Sequence, residues 1–146
     1  MSNSPLHITQ SDVGTVVALS KLIPEFEQPY GEEEYRKRLD GARCLILVAY
    51  WQEEPAGFKV GYERPEGFYS WMGGVLPAFR RKGIADALAD AQEDWLRQNG
   101  YTHVELKTRN KHSAMLAFAL KRGFSVVTTF AHENEAETRI ILRKTL

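Results

Sequence analysis

The sequence predicts an α/β fold of the α+β type: one mixed, mostly antiparallel sheet of about seven strands with helices on both faces. Three observations carry this expectation. The runs CLILVAYW, AGFKVGYE and GFYSWMGGVL follow one another between residues 44 and 76 across connections short enough to join antiparallel neighbours. Ile84, Leu88, Ala91 and Trp95 then repeat at helical spacing. After that helix the pattern returns to a strand, a helix and two more strands, so strands and helices share one sheet and one core.

Each element has a local reason. Residues 6–9 read as a short strand, and Asp12 or Ser11 can cap a first helix whose apolar positions are Val13, Val16, Val17, Leu19 and Ile23. PEFEQPYG interrupts, and EEEYRKRLDG starts acidic and ends basic, as the helix dipole favours. Residues 44–51 are almost continuously apolar; Glu53, Glu54 and Pro55 turn the chain into 56–63, and Arg64–Gly67 turn it into 67–76. Ala85 and Ala89 widen the stripe of the long helix, with Asp86, Asp90, Glu93, Asp94 and Arg97 expected largely off it, and Asn99-Gly100 ends it. In THVELKTR, Val104 and Leu106 alternate with His103, Glu105 and Lys107 as in a half-buried strand. Ser113 is the expected cap of the last helix and Gly123 its terminator; FSVVTTFAH and ETRIILRK are strands joined across ENEA.

Composition narrows function. With 146 residues and no linker-like stretch, a single domain over 1–146 is expected. The 19 basic and 19 acidic residues leave no excess positive charge, which argues against nucleic acid as a partner. The lone Cys44 lies in an apolar run, as expected of a reduced thiol in the cytoplasm; no stretch is long enough to span a membrane, and MSNSPLHITQ lacks a signal peptide's features. No metal-ligand set is expected.

The chemistry is concentrated in PAFRRKGIADAL. The first turn of a helix carries unpaired N–H groups and the positive end of the dipole, so it can hold an anion. Gly83 removes a Cβ where the loop enters the helix, Ala85 keeps the next position small, and Arg80, Arg81 and Lys82 add positive charge. The stretch reads as a pyrophosphate cradle or as a solvated basic helix start. It carries neither a P-loop nor a G-x-G-x-x-G fingerprint.

GGVLPAFRRKGIADAL resembles the acetyl-CoA signature of the GNAT acetyltransferases, Arg/Gln-x-x-Gly-x-Gly/Ala, matched by Arg80, Gly83 and Ala85. LKTRNKHSAMLAFALKRGF resembles a second block of that superfamily, with Asn110 and Gly123-Phe124 at the matching places. The element order is similar from about residue 6 to 144, and the specific motifs lie within 67–124. The resemblance implies strands 4 and 5 splayed around the pantetheine arm of acetyl-CoA. Backbone groups near Val75 and Leu76 would pair with that arm, N–H groups from Arg81 through Lys82, Gly83, Ile84, Ala85 and Asp86 would hold the pyrophosphate, and Asn110 would reach the cosubstrate from the other side. Gly73-Gly74 suggests a bulge or a close backbone approach there.

The implied activity is transfer of an acetyl group to a primary amine of a small molecule or peptide by direct attack on the thioester, in a family that often forms dimers. One position departs from the family: the tyrosine that often serves as acid, four residues before the glycine of Gly-Phe, is Ala119. Loss of catalysis with retention of cofactor binding is therefore a second reading. Candidate acids and bases are Tyr69, Ser70 and Glu105, with His103 beside Glu105 on one strand face and His112 near Asn110; a half-buried strand and solvent-facing charge explain the same residues. Glu25, Glu27, Glu32, Glu33 and Glu34 suggest a field that attracts a cationic amine, or an acidic helix start.

Overall fold

The computed structural model describes residues 4–146. In chain order its elements are β1 (Leu6–Gln10), α1 (Val13–Ser20), α2 (Glu32–Leu39), β2 (Cys44–Trp51), β3 (Glu54–Arg64), β4 (Gly67–Val75), α3 (Ile84–Gln98), β5 (His103–Arg109), α4 (Ser113–Lys121), β6 (Ser125–Phe130) and β7 (Arg139–Thr145). The strands form one sheet in the order β1-β2-β3-β4-β5-β7-β6. Every neighbouring pair is antiparallel except β4 and β5.

Local sequence accounts for most boundaries. The Asp12 carboxylate accepts the Thr15 N–H at 2.8 Å and starts α1. Gln52 and Glu53 both have positive φ (48° and 73°), so a two-residue turn closes the β2–β3 hairpin with Trp51 opposite Glu54. That turn is shorter than expected, because two residues without glycine adopt the left-handed conformations such a hairpin needs. At the end of α4 Gly123 takes φ 97°, which releases the chain into β6. His112, not Ser113, occupies the cap position of α4, and its side chain makes no capping hydrogen bond.

Two apolar layers sandwich the sheet. Ile84, Leu88 and Leu96 of α3 pack on Leu45, Leu47, Phe68, Val104, Leu106 and Leu142. Val16, Val17 and Tyr35 from α1 and α2 pack on Val48, Phe58, Val60 and Tyr69 from the other side. The irregularity in β4 falls at Trp71: Val60 pairs with Met72 and Gly61 with Ser70. The bulge thus lies before the paired glycines, and it turns the consecutive Trp71 and Met72 toward the α1 side. Gly74 answers to close approach instead, since a Cβ there would stand 2.6 Å from Ile23 Cδ1.

One expected charge is misplaced. Glu93 is only 4% exposed, on the inner side of α3. Its carboxylate accepts from Lys144 Nζ at 2.7 Å and Arg122 Nη2 at 3.1 Å, partners far off in sequence that make burial tolerable. Among the described residues no helix is long and apolar enough to cross a membrane.

Candidate functional site

β4 and β5 pair at three positions only: Phe68 with Val104, Tyr69 with Glu105 and Ser70 with Leu106. β4 then continues to Val75 and β5 to Arg109, so the sheet parts into a gap closed at Ser70 and Leu106. The Leu76 N–H donates to the Ala56 carbonyl on β3 at 2.8 Å. By strand alternation the N–H and C=O groups of Gly73 and Val75 point the other way, into the gap. The Leu76 carbonyl is also taken, by the Phe79 N–H at 2.9 Å. The N–H and C=O of Gly73 and the N–H of Val75, rather than the groups of Leu76, therefore face anything that lies there, since Arg80 Nε donates to the Val75 carbonyl at 3.1 Å.

The gap leads to the start of α3. Arg81 and Gly83 adopt left-handed conformations (φ 64° and 77°) on either side of Lys82, which curls successive N–H groups into a concavity. The Arg80 N–H donates to Pro77 and the Ala87 N–H to Gly83. Between them, the N–H groups of Arg81, Lys82, Gly83, Ile84, Ala85 and Asp86 find no acceptor among the described residues. A Cβ built on Gly83 would meet nothing within 4 Å, so the space before the loop is open. The three cations divide their work. Arg80 is turned inward, donating from Nε to the Val75 carbonyl at 3.1 Å and from Nη2 to Glu25 at 2.8 Å. Lys82 Nζ sits 4.9 Å from the centre of the Trp51 ring, and Arg81 is left with no partner among the described residues.

Asp86 places a negative charge in this cradle, and Arg122 compensates it. Its Nη1 contacts Asp86 at 3.0 Å while Nη2 contacts Asp90 at 2.7 Å, fastening the end of α4 to α3. Sequence reading missed this tie, although acidic residues at 86, 90 and 93 on one side of a helix are a signal for a basic partner. Backbone donors in an open concavity, continuous with a parted pair of strands, suit an extended ligand that ends in phosphates.

A model of the family described as "Acetyltransferase (GNAT) family" matches residues 17–124. The chain belongs to the GNAT acetyltransferase family. Solved structures agree in fold. The ribosomal-protein-S18-alanine N-acetyltransferase from Escherichia coli superposes with a TM-score of 0.82 at 18% identity, covering 96% of this chain and 93% of that one. A GNAT family acetyltransferase from Elizabethkingia anophelis with acetyl-CoA bound gives 0.77 at 18% identity, over 97% and 99% of the two chains. Arabidopsis thaliana Naa50 in complex with the bisubstrate analogue CoA-Ac-MVNAL gives 0.77 at 17%, over 97% and 99%. No curated protein matches the chain in sequence. The mixed sheet with its one parallel contact between β4 and β5 is the GNAT fold.

The candidate acids and bases of this GNAT chain lie in different settings. Tyr69 stands at the closed end of the gap on the α1 side, its ring 4.3 Å below the Arg64 guanidinium. Burial pushes its phenol pKa up, so it stays protonated at neutral pH. Ser70 points to the other side and is buried. Glu105, opposite Tyr69 in the β4–β5 register, accepts from Arg143 Nε at 2.9 Å, and His103 Nε2 lies 3.0 Å from the Glu66 carbonyl, so both already hold other partners. Asn110 Nδ2 donates to the Glu135 carbonyl at 3.3 Å, tying the β5–α4 loop to the β6–β7 loop. His112 lies near enough to lower the Glu25 pKa slightly, after the larger effect of the Arg80 hydrogen bond. Ala119 is buried in the apolar layer under α4. The acidic segment is largely neutralised within the chain, Glu25 by Arg80, Glu32 by Arg36 and Glu34 by Arg38, which weighs against an acidic field that draws in a cation.

Proposed function

We propose that this GNAT protein is an N-acetyltransferase that moves the acetyl group of acetyl-CoA to a primary amine by direct attack on the thioester, acting as one domain in the cytoplasm. The observation that carries the reading is the continuity of the β4–β5 gap with the run of free N–H groups from Arg81 to Asp86. That run, with Arg81 beside it, would hold the pyrophosphate, and the backbone groups of Gly73 with the N–H of Val75 would hold the pantetheine amides as a substitute strand. Acetyl-CoA supplies an activated carbonyl and a thiolate leaving group. The chain supplies orientation, N–H donors that stabilise negative charge as it develops, and the removal of water.

Of the candidate acids, Tyr69 is favoured, because its phenol is protonated and stands where β4 and β5 part. Support for the acetyl donor also comes from the Elizabethkingia neighbour, which carries acetyl-CoA, and support for an amine acceptor from Naa50, which carries a peptide-linked analogue. The deciding experiment is thiol release from acetyl-CoA against a panel of amines with mass detection of the acetylated product. Amine-dependent release supports transfer; acetyl-CoA binding without release under any amine supports a binding module that has lost catalysis, the reading that Ala119 keeps open.

A further inference from the structure

The mouth of the gap on the face away from α3 is lined by positive charge assembled from four separate elements. Lys107 follows Leu106, the last β5 residue paired with β4. Val104 and Leu106 are buried on the α3 side, so alternation puts Glu105, Lys107 and Arg109 on the opposite face. Partial burial, and then the charges of Arg139, Arg38, Arg64 and Arg109, hold the Lys107 ammonium below its usual pKa range. Those guanidiniums belong to β7, α2, β3 and β5. Two of the four rest on aromatic rings of β4: the Arg38 guanidinium lies 4.6 Å from the centre of the Trp71 ring, and that of Arg64 lies over Tyr69.

The carboxylates nearby do not balance this charge. Glu34 is taken by Arg38, Glu137 is shared by Arg109 and Lys111, and Glu105 is taken by Arg143. Arg64 reaches Glu66 only at 3.8 Å. Lys107 and Arg139 have no carboxylate partner among the described residues. Arg109 and Arg139 stand directly opposite each other in the β5–β7 register, an arrangement that costs a sheet stability unless something else compensates it.

We propose that the acceptor is an amine that also carries an anionic group, a carboxylate or a phosphate, which docks against Lys107 and Arg139 and so brings the amine to the gap at Ser70 and Leu106. This rests on the acetyl-transfer reading above. A polyamine or a lysine side chain would enter against the same field, whereas an amine with its own anion gains from it. The field also serves the chemistry, because surrounding positive charge favours the neutral amine that must attack. In the transfer the amine nitrogen bonds to the acetyl carbon as the carbon–sulfur bond breaks. The bonding pair leaves with sulfur, and an ammonium substrate ends as amide, thiol and one released proton.

The test compares matched amines under acetyl-CoA: aspartate and phosphoethanolamine as free anionic amines, a short peptide with acidic residues after a free N-terminus, ethanolamine as neutral reference, and spermidine as cation. Anionic amines are expected to exceed ethanolamine in kcat/KM by at least about tenfold, and Lys107→Met with Arg139→Gln to remove that advantage through KM while acetyl-CoA affinity is kept. Whether the free amines or the peptide respond distinguishes the two sources of the anion. Preference for spermidine, or an unchanged ratio in the double variant, overturns the proposal. If no amine releases thiol, the acetyl-transfer reading fails by itself. Calorimetric titration of phosphoethanolamine into the wild type and the double variant then decides the anion site, with equal or absent binding in both counting against it.

Discussion

Arg80 and Val75 are joined across the turn from β4 to α3: the guanidinium Nε donates to the Val75 carbonyl at 3.1 Å, and Nη2 of the same group holds the Glu25 carboxylate at 2.8 Å. One side chain thus fixes the open end of β4, the loop that becomes the N–H concavity, and the segment between α1 and α2. Arg80 acts here as a brace, while the N–H groups that follow it stay free, as the proposed phosphate site requires.

Removing that brace should loosen the cradle without unfolding the protein. Arg80→Ala is expected to weaken acetyl-CoA binding about 5- to 30-fold, the equivalent of about 1–2 kcal/mol for a charge-assisted hydrogen bond. Calorimetry checks it, and an unchanged Kd would show that the Val75 end of β4 holds its place unaided. The Arg80 hydrogen bond holds the Glu25 carboxyl below its ordinary value of 4.5, so its contribution is present above that value and is lost as pH falls through the lower folded value. The Tm difference between wild type and Glu25→Gln should therefore persist at neutral pH and shrink as the pH falls below 4.5.

Tyr69→Phe isolates the proposed acid. It keeps the ring against Tyr62 and Arg64 and deletes only the hydroxyl. A fall in kcat of about 100-fold with unchanged acetyl-CoA affinity is expected. Because burial raises the phenol above 10, the alkaline limb of the wild-type kcat profile should lie above that value. A kcat within about twofold of wild type would send the search for the acid elsewhere.

Lys59 gives a prediction about stability. It is half-buried on β3, and its pKa is pushed down to about 8 from 10.5 by burial, then by the charge of Arg122, with Glu93 opposing. Below pH 8 the folded and unfolded chains both hold the proton, and the cost of the buried ammonium is fully present. Between 8 and 10.5 the unfolded chain binds more protons, so stability rises with pH across that window. Lys59→Met should stabilise the protein at pH 7 by about 2 kcal/mol, and the gain should fade as the pH approaches 10.5. A gain that stays constant with pH would assign it to packing.

These residues also mark how far the sequence was legible. Strands and helices followed from apolar spacing, and the loop's turn into α3 from Gly83, because both signals lie within a few neighbouring residues. The turn at Gln52–Glu53 escaped because its left-handed residues are not glycines. Gly73-Gly74 suggested a bulge or a close approach; the bulge falls at Trp71, and the close approach holds at Gly74, where the neighbour is Ile23, about fifty residues earlier in the chain. Glu93 looked solvent-facing until Arg122 and Lys144 closed on it. The charge at the mouth was hidden most completely: Arg38, Arg64, Lys107 and Arg139 form no run, and only the register of β5 with β7 and the packing of α2 bring them together.

If the backbone from Arg81 to Asp86 holds acetyl-CoA, calorimetric titration of acetyl-CoA will separate wild type from Gly83→Glu. Gly83 has φ 77° and open space before it, so glutamate there costs about 1–2 kcal/mol of backbone strain, leaves the core untouched and puts a carboxylate where the phosphates would lie. Measurable binding to the wild type and none to a variant that still unfolds cooperatively is expected; equal binding to both would mean that the phosphates lie elsewhere.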